Sequence, residues 1–352
     1  MIETIPAVDL AETNALAGKR GIAGTLAGWR QLDYLPVGLF GSVMGLTGLS
    51  IGWRLAQARY GAPEWIAVSI GAVAMAAFVA MVLGYAVKLA TAPAAVVAEF
   101  RHPIAGNLFG TFLISLLLLP IVLAPYSLIS AQILWGCGAV GMLLFAWLIV
   151  SRWMSDRQQV AHATPVWIIP VVGMLDIPLA LPSLDLASLG LPPMHGLMVM
   201  ALAVGLFFAV PLFTLIFSRL LFEPPMPDAL QPSLLILAAP FAVGYSTYTA
   251  TTGQTDLFSQ ALYMLTLFML AVLLGRLRDL GNCCPFRVSW WAVSFPLAAS
   301  AIAALRFAQA QPGWITDAVA ILLLGLATLA IIGLLLRTLV GIARGELRTL
   351  SS

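Results

Sequence analysis

Long apolar runs separated by short polar clusters set the pattern of this chain. Residues 34–53, 65–87, 102–151, 158–175, 186–218, 229–255, 257–275, 288–305 and 318–336 contain no Asp, Glu, Lys or Arg. A membrane-crossing helix needs about 20 mostly apolar residues, so each run except 102–151 predicts one span. The exception is 50 residues long, and the stretch from Pro120 to Ser127, with Pro125 near its end, reads as a turn that divides it. Ten helices follow. Breaker residues mark their flanks at Gly61-Ala62-Pro63, Pro224-Pro225-Met226-Pro227, Gly253-Gln254 and Gln311-Pro312-Gly313. The runs are too long and too evenly apolar for the alternating strands of a membrane barrel. The predicted organisation is a segment at 1–33, a ten-helix domain at 34–342 and a tail at 343–352, with both termini on one side.

Basic residues orient this ladder. Ten spans put 14 of the 17 Lys and Arg residues on the side of the termini and leave only Arg54, Arg59 and Arg306 opposite. Both termini are therefore expected in the cytoplasm. A missed span would scramble so uneven a split, so the distribution also supports the count.

Prolines fall unevenly across the spans. Pro170, Pro240 and Pro296 lie within the fifth, seventh and ninth, whereas the second, fourth, eighth and tenth have none inside. A proline within a helix removes one backbone hydrogen bond and bends the chain. Hydrocarbon tolerates that poorly unless protein or a wet cavity faces the break. The odd spans are thus the expected inner ring, although Pro211 in the sixth departs from the rule. The first span carries Gly41, Gly45, Gly48 and Gly52, which serve either close helix packing or the lumen of a pore.

Composition agrees. Hydrophobic residues make up 61% of the 352 and charged residues 9%, with a mean hydropathy of +1.00, against roughly 25% charged in soluble domains. The formal charge of +2 is not gathered into a basic cluster, so nucleic acid is not an expected partner. The N-terminal segment, broken by Glu3, Asp9, Glu12, Lys19 and Arg20, does not read as a signal peptide. Cys137, Cys283 and Cys284 lack metal-site spacing, and the vicinal pair reads as ordinary loop thiols. No cofactor or metal is expected.

Candidate chemistry is sparse. Asp176 is the one charge clearly inside a span, and the favoured reading pairs it with Arg306; a mouth residue and a proton-coupling site are the alternatives. Ser246, Thr247, Thr249, Thr251 and Thr252 on the seventh span offer hydroxyls to an anion, or else to their own helix carbonyls. His102 beside Arg101 is a candidate for the mouth. Gly48-Leu49-Ser50-Ile51-Gly52 matches G-x-S-x-G, but a nucleophile elbow needs a strand-to-helix turn, and no enzyme is expected. Phe295 lies eight residues beyond Arg287, about 12 Å into the bilayer at ~1.5 Å per residue.

Four stretches resemble a known family. They are Leu35-Pro36-Val37-Gly38-Leu39-Phe40-Gly41, Glu99-Phe100-Arg101-His102-Pro103, Ile169-Pro170 and Trp291-Ala292-Val293-Ser294-Phe295-Pro296. In this order they are similar to the tellurite-resistance/dicarboxylate transporter family, which includes bacterial TehA and the plant slow-type guard-cell anion channels. The resemblance implies five helical hairpins about a central pore, odd helices inside, in a homotrimer of the bacterial inner membrane. It implies Phe295 as a plug in the pore, and Gly38, Phe40 and Gly41 as pore candidates. A gated, passive anion channel is the expected function. A proton-coupled carrier or exporter of C4-dicarboxylate, tellurite or sulfite is the alternative.

Overall fold

The computed structural model describes residues 32–190, 192, 194–283 and 286–351; Cys284 lies outside them. All regular structure among these residues is helical. Ten helices form the body: α1 (Phe40–Tyr60), α2 (Glu64–Thr91), α3 (Ala105–Leu123), α4 (Leu128–Ser155), α5 (Pro165–Ser183), α6 (His195–Phe222), α7 (Asp228–Thr252), α8 (Leu257–Cys283), α9 (Val288–Ala310) and α10 (Trp314–Ala343). Nine of the described helices are long and apolar enough to cross a membrane. The other, α1, is rich in glycine, and most of its residues are buried by neighbouring helices. It does not depend on a lipid-compatible surface. The turn between α3 and α4 falls at 124–127, while Pro120 stays inside the last turn of α3.

Burial separates the helices by parity. In their most apolar windows 67% of the residues of α3 and 78% of those of α5, α7 and α9 are buried, against 28–39% for α2, α4, α6, α8 and α10. The inner helices touch in a closed ring, α1 to α3 to α5 to α7 to α9 and back to α1. Each of α2, α4, α6, α8 and α10 packs outside against the odd helix that precedes it. Exposed Leu, Ile, Val, Phe and Trp side chains cover the outer helices, as a lipid-facing surface requires. The two ends of the described chain meet: Arg348 lies 3.9 Å from Asp33 with its guanidinium over the Tyr34 ring.

The prolines act differently from the sequence expectation. Each odd helix begins as a 3-10 segment and turns α-helical further in: at Phe40, Phe109, Ile169, Ala239 and Ser294. Pro170 and Pro240 occupy the second position of the α segment and Pro296 the third. There a missing N–H is tolerated, so these prolines mark junctions rather than mid-helix kinks. Helix α5 reverts to 3-10 at Gly173–Asp176 and again at Leu181–Ser183. Its irregular backbone is satisfied from outside: Trp135 Nε1 donates to Ile177 O at 2.9 Å, and the Thr247 hydroxyl donates to Leu175 O. Non-helical backbone at membrane depth persists only with such protein partners.

The glycines of α1 serve both readings. Gly45 and Gly48 meet α9, where a Cβ on Gly48 would stand 2.9 Å from Ala298 Cβ and one on Gly45 would overlap the Ser294 side chain. Ser294 Oγ in turn donates to Gly41 O across the same contact at 3.2 Å. Gly45→Ala is expected to cost about 1–3 kcal/mol by overpacking. Ser294→Gly in the same chain should recover part of that loss. Thermal unfolding of the two single variants and the double variant checks it, and additive losses would show that the two residues do not oppose each other.

Candidate functional site: an axial cavity and its constriction

The inner ring encloses a cavity of about 260 Å³ at the end of the protein where the described termini lie. All five odd helices line it: α1 through Gly41 and Met44, with Gly38 just before; α3 through Thr111 and Ile114; α5 from Val166 to Asp176. Helices α7 and α9 close the circle with residues from Ala229 to Val243 and from Val288 to Pro296. Its wall is mainly apolar. Thr111 and Ser233 hold their hydroxyls on carbonyls of their own helices, Leu108 O at 2.6 Å and Leu230 O at 2.6 Å. Ser289 Oγ and Asp176 Oδ1 are buried without a hydrogen-bond partner. The short helix Leu347–Ser351 folds back so that Leu350 and Ser351 reach the rim, with Leu350 buried.

Phe295 and Val243 close the inner end. Both border this cavity and also a second, of about 20 Å³, lined by Gly48, Leu118, Leu179, Ser246, Ala299 and Arg306 among others. A chamber of that size holds about one water molecule. Arg306 then borders a third cavity of about 320 Å³ towards the opposite end, with Pro182, Tyr245, Thr249 and Thr255. Three spaces thus follow one another along the axis, wide, narrow and wide. Phe295 stands at the first boundary and Arg306 at the second. Because 288–293 is 3-10 helix, rising ~2.0 Å per residue, Phe295 lies about 15 Å along the helix from Arg287.

Several sequence candidates lie elsewhere. The expected pair of Asp176 with Arg306 does not form: they border different cavities, and Arg306 Nη1 donates to Ser246 O at 3.3 Å. The reason is the Gly173–Asp176 turn. With 3.0 residues per turn instead of 3.6, it rotates Asp176 onto the cavity that holds Phe295. Phe40 faces away from the axis, in a cluster with Phe112 at 5.0 Å, Phe78 at 6.2 Å and Tyr85 at 6.4 Å. His102 is exposed and accepts from Ile104 N and Ala105 N at 3.2 and 3.1 Å, capping a turn outside the three cavities. Thr249 borders the far cavity, but its hydroxyl returns to Tyr245 O at 3.0 Å. Ser50 of the G-x-S-x-G match is fully buried and donates to Ala67 O at 2.8 Å, a contact between helices.

Sequence reasoning missed Val243, Ser289 and the Leu350 contact. Val243 has no signal in an apolar run. Leu350 had one, as an apolar residue among polar neighbours in the tail.

Beneath the ring, Glu99 ties the start of α1 to α2. Its Oε1 accepts from Val37 N at 2.7 Å, and its Oε2 from Lys88 Nζ at 2.7 Å and Tyr85 Oη at 2.9 Å. Lys88 Nζ also donates to Leu35 O at 2.7 Å. At the opposite end Arg54 donates to Ile121 O and Val122 O at 3.0 and 3.1 Å, satisfying final carbonyls of α3. Asp256, before α8, accepts from Ser259 N at 3.0 Å and Tyr248 Oη at 2.5 Å. The Ser259 amide, with Tyr248, holds its carboxyl below the usual range.

A closed ring of broken helices, shielded from lipid by continuous ones and pierced by aligned cavities, defines a multi-pass membrane channel or carrier. The family described as SLAC1, voltage-dependent anion channel, matches residues 34–339, and the chain belongs to it. S-type anion channel SLAH3 of Arabidopsis thaliana is 28% identical over 324 residues, covering 89% of this chain and 49% of that protein. Guard cell S-type anion channel SLAC1 of the same plant is 25% identical over 325 residues, covering 88% and 56%. The tellurite resistance protein TehA homolog of Haemophilus influenzae is 27% identical over 282 residues, covering 78% and 81%. The chain therefore spans about half the length of these plant relatives and most of the bacterial one.

Proposed function

We propose that this protein is a passive, gated channel for small anions, with one pore along the axis of each subunit and Phe295 as its gate. The observation that carries the reading is the position of Phe295, on the boundary between the wide cavity and the chamber that holds about one water. Its ring is the bulkiest side chain bordering both spaces, so rotating it aside would join them. Beyond it, Arg306 supplies a positive charge at the edge of the chamber. An ion must bind well enough to enter and weakly enough to leave. A partly buried Arg306, with one amino group engaged by Ser246 O, suits that balance better than a guanidinium alone in the chamber. Assembly as a homotrimer in a bacterial inner membrane, with both termini in the cytoplasm, completes the proposal. The 14 to 3 division of basic residues supports that orientation.

The alternative, a proton-coupled carrier of dicarboxylates or oxyanions, is favoured by one observation: Asp176 presents a buried carboxyl to the same cavity. Flux separates the two. In liposomes carrying the purified protein, chloride or nitrate is expected to run down its electrochemical gradient at a rate that follows membrane potential. An imposed pH gradient is expected to drive no accumulation. Uphill uptake of a dicarboxylate or oxyanion powered by that gradient would replace the channel with the carrier.

A further inference from the structure

The polar groups facing the wide cavity pose a problem for an anion pathway. Asp176 is fully buried at 1% exposure, lines the cavity on the near side of Phe295, and has no hydrogen-bond partner for Oδ1. No ion pair reaches it among the described residues. An ionised carboxylate at that place would repel an anion sharing the cavity. The protonated acid does the reverse. It offers an O–H donor, and hydrogen bonds with one charged partner are short and strong. A neutral carboxylic acid serving as a donor to negative charge is a known device of buried sites.

Resting on the channel reading above, we propose that Asp176 meets the permeating anion as a protonated carboxyl. It donates a hydrogen bond, and the Ser289 hydroxyl, also buried without a partner, adds a second. The cavity is then an anion site for small hydrogen-bond acceptors such as chloride and nitrate, and its occupancy follows pH. No proton crosses with the ion. The proton stays on Asp176 while the anion is bound, and ionisation empties the site.

The surroundings leave Asp176 as the titrating group. The turn that carries it packs on α3, α4, α6 and α7, with α9 across the cavity. Helix α3 has no ionisable residue. Helix α4 has Cys137, which is exposed, and Arg152, which is held by Phe100 O, Arg101 O and Asp156. Helix α6 has His195 and Arg219 near its two ends, α7 has Asp228, Tyr245 and Tyr248, and α9 has Arg306, with Arg287 just before its start. Of all these only Arg287 lines the same cavity, at its rim, and arginine keeps its charge across the accessible range.

The test uses nitrate as the probe, on the whole chain, with equal pH on both sides of the membrane. Binding is read from intrinsic tryptophan fluorescence, since Trp291 lines the cavity. Flux is read in liposomes containing Phe295→Ala. If only the protonated form binds, apparent affinity falls by up to about tenfold per pH unit above the titration midpoint. Over a pH range that spans the ionisation of Asp176, the wild-type protein is therefore expected to lose at least about tenfold in nitrate affinity. Asp176→Asn, which keeps an N–H donor but cannot ionise, is expected to bind equally at both ends of that range. Asp176→Ala, with neither donor nor titration, is expected to bind weakly at both.

A wild-type affinity that does not change with pH overturns the proposal, and so does a slope that survives in Asp176→Asn or Asp176→Ala. Two variants and the unmodified protein keep the test decisive if one substitution prevents folding. Absence of flux in every form would sink the channel reading, while the binding titration still decides the role of Asp176.

Discussion

Phe295→Ala is expected to raise anion conductance by at least about tenfold, the factor that follows from removing about 1.4 kcal/mol of barrier. The ring stands where the wide cavity meets a chamber of about 20 Å³, and among the described residues it shares that boundary with Val243 alone. Alanine would join the two spaces and leave Ser246 and Arg306 as the polar residues bordering the chamber beyond. Selectivity among anions should change little, because the charge and hydroxyls of the walls stay in place. An ordinary core phenylalanine would behave differently. Truncation would cost ~3–5 kcal/mol and appear as lost folding without gained flux. Phe295 is only partly buried and makes no ring contact among the described residues, so the folding loss should be smaller than that. Single-channel recording, or liposome flux normalised to folded protein, reads the outcome. Unchanged or reduced flux in well-folded Phe295→Ala removes it as the gate.

The helix ladder was legible because membrane spans are long and charge-poor, so a scan for Asp, Glu, Lys and Arg finds them without any periodicity. Inner and outer helices were legible for a related reason. Lipid penalises backbone breaks, and Pro170, Pro240 and Pro296 could only belong where protein covers them. The form of the break was not legible. A proline in an apolar run looks the same whether it bends an α-helix or opens one after a 3-10 segment, and the difference rests on contacts such as Trp135 with Ile177 O. That local change carried a consequence for the site. Depth counted at ~1.5 Å per residue set Asp176 level with Arg306, whereas Asp176, on the Gly173–Asp176 turn, borders the Phe295 cavity instead. Phe40 failed for another reason. A motif marks a stretch of chain and not the face of a helix, and here Gly38 and Gly41 took the axis while Phe40 took the packing. Phe295 as a plug came from family resemblance alone, since its depth could be counted but the cavities on either side of it could not.

Glu99→Gln should be among the most destabilising single substitutions that change no apolar contact. The carboxylate gathers three donors, from Val37 N, Lys88 Nζ and Tyr85 Oη, and both charged side chains are largely buried, with 4% of Lys88 and 13% of Glu99 exposed. Gln keeps the shape and one carbonyl acceptor, but it leaves the Lys88 charge buried with only Leu35 O as a firm partner. Removing one member of a buried pair costs about 3–5 kcal/mol, whereas replacing both with apolar residues is often neutral. Lys88→Met with Glu99→Gln should therefore recover much of the loss, though not all, because Val37 N and Tyr85 Oη still need an acceptor. The network also fixes Val37, which precedes the cavity-lining Gly38, so the damage should reach the wide cavity as well as the melting temperature. Thermal unfolding of the two single variants and the double variant in detergent decides it. Equal stability of wild type and Glu99→Gln would show that the pair contributes nothing, and a double variant no better than Glu99→Gln would show that the stranded lysine is not the cause.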